Sequence, residues 1–115
     1  MKFYTITKQE DLKQFEKEEY YEVLGHLEVE CHLKLSKKLI VFGVIKSNSD
    51  IEIDGGIECN DILIEGNLIL NDVKNEDVIS RGFIRSMYNI SVGGYIKSYY
   101  IHAIGEIKAE SILKH

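Results

Sequence analysis

Branched aliphatic residues recur every five or six positions along most of this chain. A second apolar or small residue follows two positions after most of them, and such a pair lies on one face of a short strand. Strands repeated at this spacing, without a helix between them, predict a β-solenoid. In this fold the chain winds in coils, and the strands of successive coils pair side by side in parallel sheets. The recurring residues are Leu27, Leu33, Leu39, Ile45, Ile51, Ile57, Ile62, Leu68, Val73, Ile79, Ile84, Ile90, Ile96, Ile101, Ile107 and Ile112.

Three recurring residues per coil give the most regular period, so the sequence predicts an all-β, three-sided solenoid of about five coils. The predicted stacks are Leu27, Ile45, Ile62, Ile79, Ile96 and Ile112 on one side; Leu33, Ile51, Leu68, Ile84 and Ile101 on the second; and Leu39, Ile57, Val73, Ile90 and Ile107 on the third. The repeat is weakest between Asn71 and Arg81, where a buried arginine would be too costly, so we expect a bulge or loop there.

Outward residues predicted to lie on neighbouring coils test this register. Opposite charges on adjacent strands are favourable and like charges are unfavourable. Complementary predicted pairs are Glu28 with Lys46, Lys34 with Glu52 and Glu58 with Lys74, whereas Arg85 beneath His102 is not complementary.

Glycine precedes a recurring residue by two positions at seven places. A solenoid must turn a corner after each strand, and glycine supplies the positive φ that we expect such corners to need. These glycines are Gly25, Gly43, Gly55, Gly66, Gly82, Gly94 and Gly105.

The first residues do not follow the repeat. Thr7–Glu10 matches a capping box, and the good helix formers that follow it predict a helix of about three turns. Leu12 and Phe15 are spaced to face inward from this helix. We therefore divide the chain into a helical capping segment, 1–24, and a β-solenoid domain, 25–115.

Composition limits the partners and the compartment. The 115 residues carry a net charge of −5, which disfavours nucleic acid and anionic membranes and permits a basic protein partner. Two cysteines are too few for a disulfide framework, the first residues turn polar before any secretory signal forms, and no stretch is apolar enough to span a membrane. These features predict a cytoplasmic protein.

The sequence contains no recognisable catalytic, cofactor or metal constellation. His26 and His32 each precede an inward residue and therefore point outward, but six residues apart they lie on different sides of the prism. No acidic residue combines with a histidine and a nucleophile at a triad or metal-ligand spacing. We expect no catalytic residue, no cofactor and no metal, and therefore not an enzyme.

Aromatic residues near the C-terminus suggest an interface instead. Phe83 and Tyr100 are 17 residues apart, which predicts equivalent outward positions on successive coils, with Ile69 outward on the coil before. Exposed aromatic and methionine residues are enriched at protein interfaces. The candidate interface residues are Ile69, Phe83, Met87, Tyr88, Tyr95, Tyr99, Tyr100, Ile112 and Leu113. Coverage of this surface by residues 1–24 or 71–81 is the alternative.

Four units resemble the Gly-x-Ile-x-Ala/Ser repeats of bactofilins, which are polymer-forming bacterial cytoskeletal proteins. They begin at Gly43, Gly82, Gly94 and Gly105. The resemblance covers Gly25–Leu113 and implies a right-handed β-helix with a scaffold role. Bactofilins carry flexible, often proline-rich tails, whereas this chain contains no proline.

These observations favour a non-enzymatic scaffold or self-associating module, a homodimer or larger assembly. The first alternative is a small acidic binding protein, of immunity or adaptor type, that docks one protein partner. The second is a solenoid enzyme with a site between subunits. Because the predicted helix covers only the N-terminal end, we expect end-to-end association to pair C-terminal coils.

Overall fold

The computed structural model describes residues 2–71, 78–80 and 82–114. Within these residues the chain forms seventeen strands and one 3₁₀ helix, Gln9–Phe15. The strands are β1 (Phe3–Ile6), β2 (Tyr20–Val23), β3 (His26–Val29), β4 (Leu33–Leu35), β5 (Lys38–Val41), β6 (Ile45–Ser47), β7 (Ile51–Ile53), β8 (Ile57–Cys59), β9 (Ile62–Ile64), β10 (Leu68–Leu70), β11 (Val78–Ser80), β12 (Phe83–Ser86), β13 (Ile90–Val92), β14 (Tyr95–Ser98), β15 (Tyr100–Ala103), β16 (Ile107–Lys108) and β17 (Ser111–Lys114).

These strands form three parallel sheets, one on each side of a prism. The first sheet has the order β1-β3-β6-β9-β12-β15, the second β4-β7-β10-β13-β16, and the third β2-β5-β8-β11-β14-β17. Successive strands along the chain enter successive sheets, so β3 to β17 make five coils of three strands each. The predicted three-sided β-solenoid of about five coils is confirmed.

The predicted register is correct up to Leu68. Leu27, Ile45 and Ile62 are paired in the first sheet, as predicted. Leu33, Ile51 and Leu68 are paired in the second sheet, and Leu39 pairs with Ile57 in the third.

Beyond Leu68 the predicted stacks are displaced by one sheet. Ile84 pairs with Ile62 rather than with Leu68, and Ile90 pairs with Leu68 rather than extending the stack of Ile57. Pairings within the last two coils, such as that of Ile84 with Ile101, agree with prediction.

The displacement arises between β10 and β11. The predicted member Val73 lies outside the described residues, and Val78 takes the third-sheet position between Ile57 and Ile96. Ile79, which was predicted to join the first stack, is paired with Glu58 on the third sheet. Because Val78 takes the position predicted for Val73, each later strand lies one sheet before its predicted sheet.

The predicted pairs of outward residues are found wherever both members are described. Glu28 pairs with Lys46, and Lys34 pairs with Glu52 at 3.7 Å between Nζ and Oε2. The predicted partner of Glu58, Lys74, lies outside the described residues. Arg85 pairs with His102, as predicted.

The first 24 residues form an incomplete first coil. Strand β1 pairs with β3 in the first sheet, and β2 pairs with β5 in the third. The 3₁₀ helix connects β1 to β2, and Leu12 and Phe15 are buried as predicted. The segment predicted as a cap therefore covers the end and also contributes two strands to the sheets.

The helix is shorter than predicted, and Asp11 replaces Glu10 as its capping acid. The Asp11 carboxylate accepts hydrogen bonds from the Thr7 N–H, the Thr7 hydroxyl and the Lys8 N–H. The backbone hydrogen bond from Thr7 is the largest of the influences that lower the pKa of Asp11. Asp11 lies one residue further from Thr7 than the predicted capping box allows.

Inward positions along the prism form one continuous core. Leu27, Ile45, Ile51, Ile57 and Ile62 are essentially inaccessible to solvent. Serine occupies several inward positions next to corners, where its hydroxyl bonds to nearby backbone carbonyls, so the buried polar group keeps a partner. The buried serines and their acceptors are Ser47 with Ser49, Ser80 with Asn60, Ser86 with Gly66, and Ser98 with Tyr100.

At the corners, glycine is needed because neighbouring atoms leave no room for a Cβ, and not because of the predicted positive φ. At Gly66 a Cβ would collide with the carboxylate of Asp50, and φ is not positive there. Asp50 Oδ1 uses this space to accept the N–H of Asn67, at 2.6 Å. A side chain on one coil thus bonds the backbone of the next coil beside a glycine.

Candidate interaction surfaces

The C-terminal end of the prism exposes the core. Ile112 pairs with Ile96 at an inward position, yet Ile112 is 51% exposed while Ile96 is fully buried. Ile101 and Ile107, inward on the other two sheets, are only partly buried. Within the described residues, each strand of this last coil has a hydrogen-bonded neighbour on one side only.

The N-terminal end is covered. Ile6 and Val23, inward on the first coil, are fully buried, and Leu12 packs within the same core cluster. Among the described residues, the first coil adds no strand to the second sheet, so one edge of β4 has no neighbouring strand. The Gln9 side chain lies along this edge instead. Its amide Nε2 donates to Lys34 O at 2.6 Å, and its Oε1 accepts from Lys34 N at 2.9 Å. The side-chain amide therefore bonds the strand edge as a peptide group would.

A second exposed surface lies on the first sheet at the last two coils. Phe83 pairs with Tyr100, and Arg85 pairs with His102, so the two strands carry matching outward rows. The rings of Tyr100 and His102 stack with 6.5 Å between centroids. The equivalent outward position predicted for Phe83 and Tyr100 is confirmed.

Arg85 lies between two open depressions on this surface. One, of about 620 Å³, is lined by Phe83, Arg85, Tyr99, Tyr100 and His102. The other, of about 220 Å³, is lined by residues that include Lys46, Leu63, Arg85 and Met87. Within the part of the chain that the structure describes, neither Arg85 nor Lys46 has an ion-pair partner. We name the outward surface of β12 and β15 with their flanking corner residues the cationic face.

The predicted interface candidates do not form one patch. Ile69 lies on the second sheet between Glu52 and Ser91, away from Phe83. Ile69 is outward as predicted, but the expectation that it lies on the same side of the prism as Phe83, one coil before, is wrong because of the same one-sheet displacement. Met87 and Tyr88 are exposed at the corner after β12.

The other candidates lie near the C-terminal end. Tyr99 and Tyr100 are exposed at the corner between the third and first sheets. Ile112 and Leu113 are exposed on β17, with Leu113 paired to Lys97 on the outer face of the third sheet. A groove of about 230 Å³ joins the end to the cationic face, between Tyr100 and Ile112. The side chain of Tyr95 lies outside the described part.

Sequence reasoning missed four exposed apolar residues. Phe3, Leu24 and Phe42 are exposed at the N-terminal half of the prism, and Ile104 follows β15. Each lies on an outward surface or at a corner, and the signal that identifies them is an apolar residue out of phase with the inward repeat.

The histidines and corner acids have structural partners. His26 Nδ1 accepts the N–H of Val44 at 2.9 Å, and Asp61 Oδ1 accepts the N–H of Phe83 at 2.8 Å. His32 Nδ1 lies 3.8 Å from Asp50 Oδ2 on a different side of the prism from His26.

No disulfide joins Cys31 to Cys59, and Cys59 is buried at an inward position. Burial, with a smaller contribution from the charges of Asp11 and Glu10, raises the pKa of the Cys31 thiol. In the described ranges, no group of three or more His, Cys, Asp or Glu side chains is arranged to hold a metal ion. Nor does any helix there have the length and apolar character needed to cross a membrane.

The two surfaces combine exposed apolar side chains with Arg85 and Lys46, and Glu65 lines the smaller depression beside Arg85. Comparison of the chain with protein-family models, curated proteins and solved structures gave no match. The functional interpretation therefore depends on the two exposed surfaces.

Proposed function

We propose that this protein is a non-enzymatic scaffold that associates with copies of itself through its C-terminal end. The observation that carries the proposal is the exposure of Ile112 at a position that is buried in the preceding coil. A second copy placed against this end would bury the apolar cross-section and satisfy strand edges, both of which favour association.

The covered N-terminal end limits the proposed end-to-end contact to a pair. Gln9 occupies the hydrogen-bonding edge of β4, and the helix covers the core there. Two C-terminal ends facing each other form an isologous contact, which closes with two-fold symmetry. We further propose a cytoplasmic location, because the two cysteines form no disulfide, and we propose that the protein uses no cofactor. The Gly-x-Ile units support the further proposal of a right-handed solenoid of bactofilin type.

An acidic binding protein with one basic protein partner is the alternative. Residues 1–30 contain eight acidic residues and four lysines. This asymmetry favours a basic partner at the N-terminal half of the prism. Capture of a cationic protein by a stable monomer would support this alternative over the scaffold.

Sedimentation velocity across a wide concentration range tests the scaffold proposal. We expect the wild-type protein to associate reversibly and Ile112→Ser to weaken that association tenfold or more. Because Ile112 is half exposed in the single copy, its substitution should change the melting temperature little. Ile69→Ser on the second sheet is the matched control and should associate as the wild type does. Equal association of both variants would contradict the role of the C-terminal end.

A further inference from the structure

The cationic face has a regular arrangement of side chains. On β12 the outward residues are Phe83 and Arg85, followed by Met87 at the corner, and the neighbouring β15 carries Tyr100 and His102 followed by Ile104. The N–H of Met87 bonds to Ile64, and that of Ile104 to Ser86, so both corner residues continue the strand ladder. The row that begins on β12 thus shows the order apolar, cationic, apolar, and the row that begins on β15 has an imidazole between an aromatic and an aliphatic residue.

A complementary order is present at the other end of the same chain. On β2 the outward positions two residues apart are Tyr20 and Glu22, followed by Leu24 at the corner. Leu24 is 62% exposed, and no basic side chain of the described residues lies within ion-pair distance of Glu22. Among the strands whose outward side chains the structure describes, only β2 has an acidic residue between two apolar ones.

We propose that the outer surface of β2 in one copy docks on the cationic face of a second copy. Glu22 then lies against Arg85 and His102, while Tyr20 and Leu24 contact the apolar residues on either side. This inference rests on the proposed self-association and adds a contact on the side of the prism, separate from the end at Ile112.

The spacing of the two surfaces agrees. Outward side chains two residues apart on a parallel strand are separated by about 6.6 Å, so a three-residue outward row on one strand matches that on another. A carboxylate facing an unpaired guanidinium gains a charge-assisted hydrogen bond, and aromatic residues around such a pair exclude water. The side-chain order therefore specifies both the charge pair and its apolar surroundings.

The overall charge distribution favours the same contact. Residues 82–114 contain four basic and two acidic residues, whereas residues 1–30 contain twice as many acidic as basic ones. An N-terminal coil is thus attracted to the C-terminal coils of another copy. A nucleic acid would meet the remaining acidic surface of a chain with net charge −5, so a second copy is the better occupant.

Charge reversal tests the contact in the Ile112→Ser background, where end-to-end pairing is weakened, and in the otherwise unmodified chain. We expect Arg85→Glu and Glu22→Arg each to raise the dissociation constant of the side contact tenfold or more in sedimentation velocity. The chain that carries both reversals should associate within about threefold of its parent, because the pair is restored with opposite polarity. Loss of association in the single variants without this rescue would overturn the proposal.

Lys108→Glu is the matched control, since it makes the same charge change on the second sheet of the last coil. We expect it to associate as its parent does and Phe83→Ser with Tyr100→Ser to weaken the side contact while retaining a cooperative melt. Higher salt should weaken the side contact more than the end contact.

The outcomes separate this inference from the proposed function. A wild-type protein that stays monomeric at all concentrations overturns both. Association that is sensitive to Ile112→Ser and insensitive to Arg85→Glu overturns the side contact alone. Binding of a labelled oligothymidine that Arg85→Glu abolishes, with unchanged self-association, would assign the cationic face to nucleic acid and likewise overturn it.

Discussion

The two ends of the prism terminate the same repeat in different ways. At the N-terminal end the inward residue Ile6 is fully buried, whereas at the C-terminal end Ile112 is half exposed. Both belong to parallel strands at the margin of a sheet, β1 in the first and β17 in the third. The difference lies in what covers them, because the helix containing Leu12 and Phe15 packs at one end only.

Covering a solenoid end requires more than an apolar residue. The final coil presents both apolar side chains and backbone groups that lack a neighbouring strand. At the N-terminal end Leu12 meets the first requirement, and the Gln9 amide meets the second by bonding both backbone groups of Lys34. The comparison teaches that a short segment without strand pairing can close a sheet edge through one side-chain amide.

The largest expected effect is in the middle of the prism, where the core is covered on both sides. Ile53→Asp should unfold the protein, because Ile53 is fully buried and an unpaired carboxylate there costs several kcal/mol. Ile112→Asp places the same group at a half-exposed inward position and should leave the fold intact. Thermal denaturation of the two variants measures the difference.

Glu52→Lys is the control for position in the strand. Glu52 lies next to Ile53 but faces outward toward Lys34, and a partly exposed ion pair contributes less than about 1 kcal/mol. Equal melting temperatures for Ile53→Asp and Glu52→Lys would show that the assigned strand faces are wrong.

Removal of the N-terminal covering should make the two ends alike. Deleting residues 1–22 removes β1, the helix and most of β2, and thereby exposes the strand edges and inward residues of β3, β4 and β5. We expect larger, open-ended assemblies or precipitation in light scattering, because both ends can then stack. An unchanged size distribution would mean that the N-terminal segment does not block association.

The smallest expected effect concerns the amide that closes the β4 edge. Gln9→Ala leaves Lys34 N and O to water and should lower the free energy of unfolding by about 1 kcal/mol. Gln14→Ala is the matched control, because Gln14 bonds only within its own helix, to Asp11 O. Denaturant titration compares the two, and equal losses would assign no special role to Gln9.

The sequence predicted the architecture because inward residues must recur with the coil. Leu27 to Leu68 fix three sheets without further information, and the later coils repeat the same spacing. The displacement could not be foreseen, because Val73 and Val78 are both valines and the sequence pattern does not show which of them takes the third-sheet position. The interval between Leu68 and Val78 is neither a single five-residue step nor a single six-residue step.

The sequence predicted the relative positions of surface residues where these depend only on the regular spacing between neighbouring coils. Phe83 and Tyr100 are correctly paired, since the coil between them has no insertion. Ile69 and Phe83 were predicted on the same side of the prism, and this is wrong because the interval between them includes the stretch from Leu68 to Val78, where the predicted spacing fails. Glu22 lies between the end of the predicted helix and Gly25, where the five- or six-residue spacing that predicts strands is absent.

The nearest-neighbour stacking of coils has a consequence for hydrogen exchange. Each strand of the last coil has a ladder partner on one side only, as with β14 and β17, so local opening there breaks fewer contacts than in the middle. Amides of β15, β16 and β17 should therefore exchange first and those of β6 to β10 last. A partner at the C-terminal end would slow exchange in the last coil before it changes any other part of the molecule.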